Sequence, residues 1–124
     1  MVRPQTDDPA LRWSAILQFY AEAATTPGRA FLSPMISLAE WIATQPWARE
    51  LYPFTSHDAL CVSLSADDDG VQPFAAFEIQ LDGQLACELW SGLNRRHRMY
   101  RYPMADARRA IANTVQSLMV VAAK

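Results

Sequence analysis

The stretch LNRRHRMYRYP, residues 93–103, gathers four arginines, a histidine and two tyrosines into eleven positions. Guanidinium groups grip carboxylate or phosphate oxygens in a two-pronged geometry, and tyrosines set between them offer flat faces on which unpaired bases stack. With Arg108 and Arg109, six of the eleven basic residues fall between positions 95 and 109. Such a cluster suits three tasks: docking an acidic protein surface, holding single-stranded nucleic acid, or keeping the edge of a sheet wet. The chain as a whole has a formal net charge of −2 and a pI of about 5.6, so any attraction for a polyanion or an acidic membrane must be local. No RNA-binding signature accompanies the arginines.

His57, Asp58 and Cys61 bring catalytic residue types close together, as a thiolate with an oriented base requires. Their spacing points to structural roles instead. Cys61 falls in a predicted strand, no glycine-rich oxyanion turn adjoins it, and Ser56 and Asp58 read as turn and strand-entry residues. Two histidines and two cysteines at these spacings form no zinc motif. DDDGVQPFAAFE, from Asp67, has the acidic spacing of a calcium loop but lacks the glycine at its sixth place and has proline at its seventh, so it reads as a hairpin turn. No glycine-rich phosphate loop is present. The residues imply no metal, no cofactor and no catalytic set.

At 124 residues, 51% hydrophobic and 19% charged, the composition is that of a packed globular chain, expected as one domain over 1–124. Its start, MVRPQTDDP, lacks the apolar centre of a signal peptide, and no run approaches a membrane span. A cytoplasmic protein with two reduced cysteines is expected.

Several elements must position these residues. Asp7, Asp8 and Pro9 give an acidic cap followed by a proline suited to a first helical turn, predicting a helix over 9–25. Leu11, Ala15, Phe19 and Ala23 line its stripe, widened by Ile16 and Tyr20. A second helix over 34–45 carries Leu38, Trp41 and Ile42, and a short helical turn follows at 47–52 between Pro46 and Pro53. The period then changes to alternation, predicting strands at about 59–66, 73–81, 84–90 and 97–102. A final helix over 104–122 places Ala107, Ile111, Val115, Leu118 and Ala122 in one stripe. The expected class is therefore α+β, a four-stranded antiparallel sheet with helices before and after it.

Parity refines the hairpin around Asp82-Gly83. A two-residue loop would set Ile79 against Ala86 and Phe77 against Glu88, an apolar face against a polar one. A three-residue loop, Leu81-Asp82-Gly83, with left-handed Gly83, pairs Ile79 with Leu85, Phe77 with Cys87 and Ala75 with Leu89. This register sets Phe74 beside Trp90 on the reverse face and sends Cys61 and Cys87 to opposite faces, excluding a disulfide between them. The last strand, with Arg98, Tyr100 and Tyr102 on one side and His97, Met99 and Arg101 on the other, suits a sheet edge.

The reverse face of the sheet, with Phe74, Ala76, Ala86 and Trp90 beside serines and glutamates, is neither fully wet nor fully apolar. Loose aromatics in a chain with several helices are usually covered by those helices; another protein is the alternative cover. The residues point to a small non-enzymatic protein-binding module of the adaptor, chaperone or toxin-neutralising kind, with another protein or a second copy as partner. Its contact residues would be Phe74 and Trp90, with Arg95, Arg96, Arg98, Tyr100, Arg101 and Tyr102 as a charged rim. The alternative is a nucleic-acid-binding protein using residues 95–102, and the third reading a hydrolase built on His57 and Cys61. A membrane partner is not expected.

Overall fold

The computed structural model describes residues 4, 6–65, 72–92 and 95–123. Helix α1 spans Pro9–Ala24, a 3-10 turn Ala30–Leu32 leads into α2, Ser33–Ala43, and a second 3-10 segment covers Pro46–Glu50. Five strands follow: β1 Tyr52–Ser56, β2 Ala59–Ser63, β3 Phe74–Ile79, β4 Leu85–Gly92 and β5 Arg95–Tyr102. A 3-10 turn at Met104–Asp106 precedes α3, Ala107–Ala122. The strands pair antiparallel in chain order, β1-β2-β3-β4-β5, so the fold is α+β with a meander whose edges are β1 and β5.

The fifth strand, Tyr52–Ser56, corrects the expected count of four. Its five residues contain Pro53, which has no N–H for a ladder and masks the alternation. The strand survives because it lies at an edge, opposite Ser63 to Ala59. A two-residue loop, His57-Asp58, closes that hairpin, and His57 has φ 56°. A first loop residue with positive φ normally calls for glycine, so the histidine holds this turn under strain.

The Asp82-Gly83 hairpin has the three-residue loop that parity requires. Ile79 faces Leu85, Phe77 faces Cys87, Ala75 faces Leu89 and Phe74 faces Trp90. Gly83 sits at φ 89°, and its N–H donates to the Gln80 carbonyl at 2.9 Å. The expected turn at Asp67–Gly70, and Leu93-Asn94 of the turn before β5, lie outside the described residues.

One face of the sheet is the main core. Leu60, Val62, Ala75, Phe77, Ile79, Leu85, Cys87 and Leu89 pack against Ile16 and Tyr20 of α1, Met35, Leu38 and Ile42 of α2, and Ile111, Val115 and Leu118 of α3. Burial of such side chains is the main driving force for the fold, at about 1.5–3 kcal/mol each. The α1 stripe is rotated from its expected centre: Arg12 and Trp13 turn inward with Ile16 and Tyr20, while Leu11 is exposed. In α3, Ala110 and Thr114 are buried and Ala122 is exposed. All three helices thus lie on one face. The reverse-face cluster, Phe54, Ala59, Cys61, Phe74, Ala76 and Trp90, is built among the described residues from strands alone, so the expected helical cover is not what buries it.

Candidate functional site

The two edges of the sheet receive opposite treatment. At β1, Pro53, Phe54 and Thr55 are all buried, and α1 packs alongside. The Tyr20 hydroxyl donates to the Asp58 carbonyl at 2.9 Å, and the Asp58 carboxylate pairs with Arg29. Arg12, only 2% exposed, donates to the carbonyls of Asp7 at 2.7 Å and Arg49 at 3.3 Å. Its guanidinium also lies 4.2 Å from the centre of the Tyr52 ring. Polar groups from the helical layer therefore tie down both ends of that edge strand.

Nothing comparable happens at β5. Six of its eight residues are exposed, Met99 and Tyr102 being half-buried, and among the described residues no strand lies outside it. Register sorts its side chains. Arg98, Tyr100 and Tyr102 oppose Leu89, Cys87 and Leu85 and so stand on the helical face, whereas Met99 and Arg101 oppose Glu88 and Ala86 on the reverse face. The pairing then slips twice: Trp90 opposes Arg96, leaving His97 as an extra residue on β5, and Gly92 opposes Arg95, leaving Ser91 as one on β4. This bulge brings Arg96 onto the Trp90 face, where its Nη1 donates to Glu88 Oε1 at 3.1 Å. Bulges twist an edge and limit regular pairing to one side of them. The regular part of β5 is therefore Arg98–Tyr102.

The residues singled out from sequence are thus divided between two surfaces. Phe74 and Trp90 lie stacked on the reverse face, ring centres 5.6 Å apart and planes within 8° of parallel, with Phe54 edge-on to Phe74 at 5.8 Å. These rings pack on one another within the cluster, and Phe74 is only 8% exposed. Arg96 and Arg101 share that face; Arg98, Tyr100 and Tyr102 do not. Among the described residues the side chains of Arg95, Arg98 and Arg101 have no ion-pair or hydrogen-bond partner, while Arg109 pairs with Asp106 and Arg108 lies over the Trp41 ring at 5.6 Å.

Helix α3 supplies a wall that the sequence reading of β5 did not include. Between α3 and β5 run two adjoining depressions of about 480 and 120 Å³. Leu89, Arg98, Asn113 and Ser117 line both; Val120 and Val121 extend one and Tyr100 the other. Tyr100 and Val120 are each 56% exposed and line the two adjoining depressions, so their apolar surface is gathered at one place. A signal was present in the sequence: Val120 lies off the α3 stripe that Ala107, Ile111, Val115 and Leu118 define, so an apolar residue was left over at the helix end.

The remaining candidates occupy structural places. Cys61 is 1% exposed within the reverse-face cluster, while His57 is exposed at the hairpin tip and the Asp58 carboxylate is engaged by Arg29. Cys87 lies on the helical face, and burial pushes its thiol up to about 11. Neither cysteine is in a disulfide. Among the described residues no three His, Cys, Asp or Glu side chains gather about a common point, and no helix is long and apolar enough to cross a membrane.

The sheet order and the single helical layer define the class as α+β, and no protein-family model, curated protein or solved structure matches the chain.

Proposed function

We propose that this chain is a protein-binding module of the adaptor, chaperone or toxin-neutralising kind that docks its partner along the β5 edge and the α3–β5 groove. One observation carries the reading: exposed Tyr100 and Val120, and, among the described residues, unpaired side chains of Arg98 and Arg101 and an open strand edge, all coincide at one margin of the sheet. Exposed apolar anchors within a polar, charged rim are the usual anatomy of a protein-binding patch. The arginines raise the encounter rate with an acidic partner, and the rings and aliphatic groups hold it once docked. The stacked pair Phe74 and Trp90 acts from behind, stiffening β4, against which β5 is hung. Cytoplasmic action and a partner distinct from this chain belong to the same proposal.

A photo-crosslinking side chain at position 100, compared in cells with the same group at the exposed hairpin residue Leu81, tests the reading. Discrete protein adducts at 100 and none at 81 are expected. Absence of protein adducts at 100 contradicts it. The second reading, single-stranded nucleic acid, draws on one feature, an exposed Tyr100 between two unpaired arginines. Nucleic-acid adducts at 100 in place of protein adducts would select it.

A further inference from the structure

Resting on that reading, we infer that the occupant of the edge is an extended acidic segment of a partner protein, added antiparallel or parallel to Arg98–Tyr102 as a sixth strand. An edge strand presents its unpaired N–H and C=O groups outward on alternate residues. In β5 these outward groups lie in a run without proline, since Pro103 stands just beyond the strand. The bulge at His97 limits the regular ladder to five residues, enough for a short docking strand but too few for a long, indiscriminate one. Main-chain bonds would give the partner affinity, and alternate side chains its specificity.

Charge then chooses between occupants. A second copy of β5 pairing antiparallel about Tyr100 would set Arg98 against Tyr102 and Arg101 against Met99, giving neither arginine an acid and crowding together two edges of like charge, which repel. A segment with Glu or Asp at alternate positions, its acids on the reverse face, changes the sign of that interaction and meets the Arg101 guanidinium, which has no other partner among the described residues. On the helical face, side chains of the added strand extend the row of Arg98 and Tyr100 beside the groove whose walls are Leu89, Ser117 and Val120. An apolar residue at every second place of the acidic segment fits that groove. The preferred partner sequence is therefore about five residues of alternating acidic and aliphatic character.

The probe is a synthetic octapeptide of alternating Glu and Val carrying a fluorophore. Three companions are used: the same peptide with alternate backbone nitrogens methylated, a Lys-Val counterpart, and oligothymidylate. Anisotropy is read with the full chain, with Arg98→Glu/Arg101→Glu, and with Val120→Asp. The Glu-Val peptide is expected to bind, to weaken as salt rises, and to lose at least tenfold in affinity on methylation and on the double charge reversal. Amide exchange should slow at alternate residues of Arg98–Tyr102 in the complex. Binding that ignores methylation, or that leaves β5 exchange unchanged, overturns strand addition while leaving a protein-binding edge intact. No binding at low salt overturns the acidic segment, whereas failure of the broader reading shows separately as absent protein adducts at position 100. Tighter binding of oligothymidylate than of the peptide, or a dimer of the free chain with β5 already protected, also overturns it.

Discussion

Two strands end the same sheet, and the chain spends its polar resources on only one of them. At β1 a tyrosine hydroxyl, an aspartate–arginine pair and a buried arginine come from the helical layer to seal the margin. At β5 the arginines stay outside, two of them on opposite faces and with side chains that have no partner among the described residues. The same residue type therefore does opposite work at the two margins. Arg12 is desolvated and held by carbonyls and a ring, a structural use of a long amphipathic side chain. Arg98 and Arg101 remain hydrated, where a charge adds little stability but strongly biases who approaches. An edge sealed from within cannot recruit a partner; an edge defended only by charge selects one.

The difference can be broken first at Arg12. Arg12→Ala removes the donors to Asp7 and Arg49 and empties the space over Tyr52, so unfolding by urea should show a loss of about 2–4 kcal/mol. Arg12→Met, which keeps the stem, should lose less. Tyr20→Phe leaves the Asp58 carbonyl without its donor and should cost about 1 kcal/mol in the same assay. His57→Gly should move the other way, raising stability by about 0.5–1 kcal/mol, because glycine adopts a positive φ without strain. Loss of stability in that variant would mean the histidine side chain itself holds the hairpin. At the other margin, Arg98→Glu/Arg101→Glu should shift stability by no more than about 0.5 kcal/mol while abolishing attraction for acidic partners. A large stability loss there would show that β5 is built into the fold as β1 is.

A pH dependence sharpens the same contrast from inside the core. The Cys87 thiol is raised to about 11 in the folded chain, above the value of 9.0 for a free thiol, so the native state favours the neutral form. Its contribution is fully present below pH 9 and is lost as pH climbs toward 11, because the unfolded chain then ionises first. Urea midpoints should fall across that window more steeply for the native chain than for Cys87→Ala. At neutral pH both Cys61 and Cys87 should react with alkylating reagents far more slowly than a free thiol. A rapidly modified Cys61 would reopen the hydrolase reading.

Much of this was legible in the sequence because steric rules with a period of two leave little choice. The pairing of Ile79 with Leu85 and of Phe74 with Trp90 followed from parity alone, since a one-residue slip would have inverted every face. The edge position of β5 followed from its arginines and from Pro103. Strand β1 was hidden because Pro53 breaks the pattern and because its burial depends on α1, forty residues earlier, reaching back to Asp58 and Tyr52. The inward turn of Arg12 was hidden for a related reason: its partners are main-chain carbonyls, which no side-chain pattern announces. At the candidate site, the charges, the rings and the alternation that sets Arg98, Tyr100 and Tyr102 against Met99 and Arg101 were visible, but the place of Arg96 beside Trp90 and Glu88 was not. That placement depends on the bulge at His97, a slip set by how β4 and β5 twist together. The groove depends on where α3 comes to lie, and only Val120, left off the helix stripe, hinted at it.

The contrast between the two margins is tested most directly by residue-resolved amide exchange on the isolated monomer. Alternate amides of Arg98–Tyr102 should exchange without protection while those of Phe54–Ser56 are slowed throughout, because one edge faces water and the other is packed beneath α1. Uniform protection along Arg98–Tyr102, matching that of β1, would contradict an edge left open for a partner.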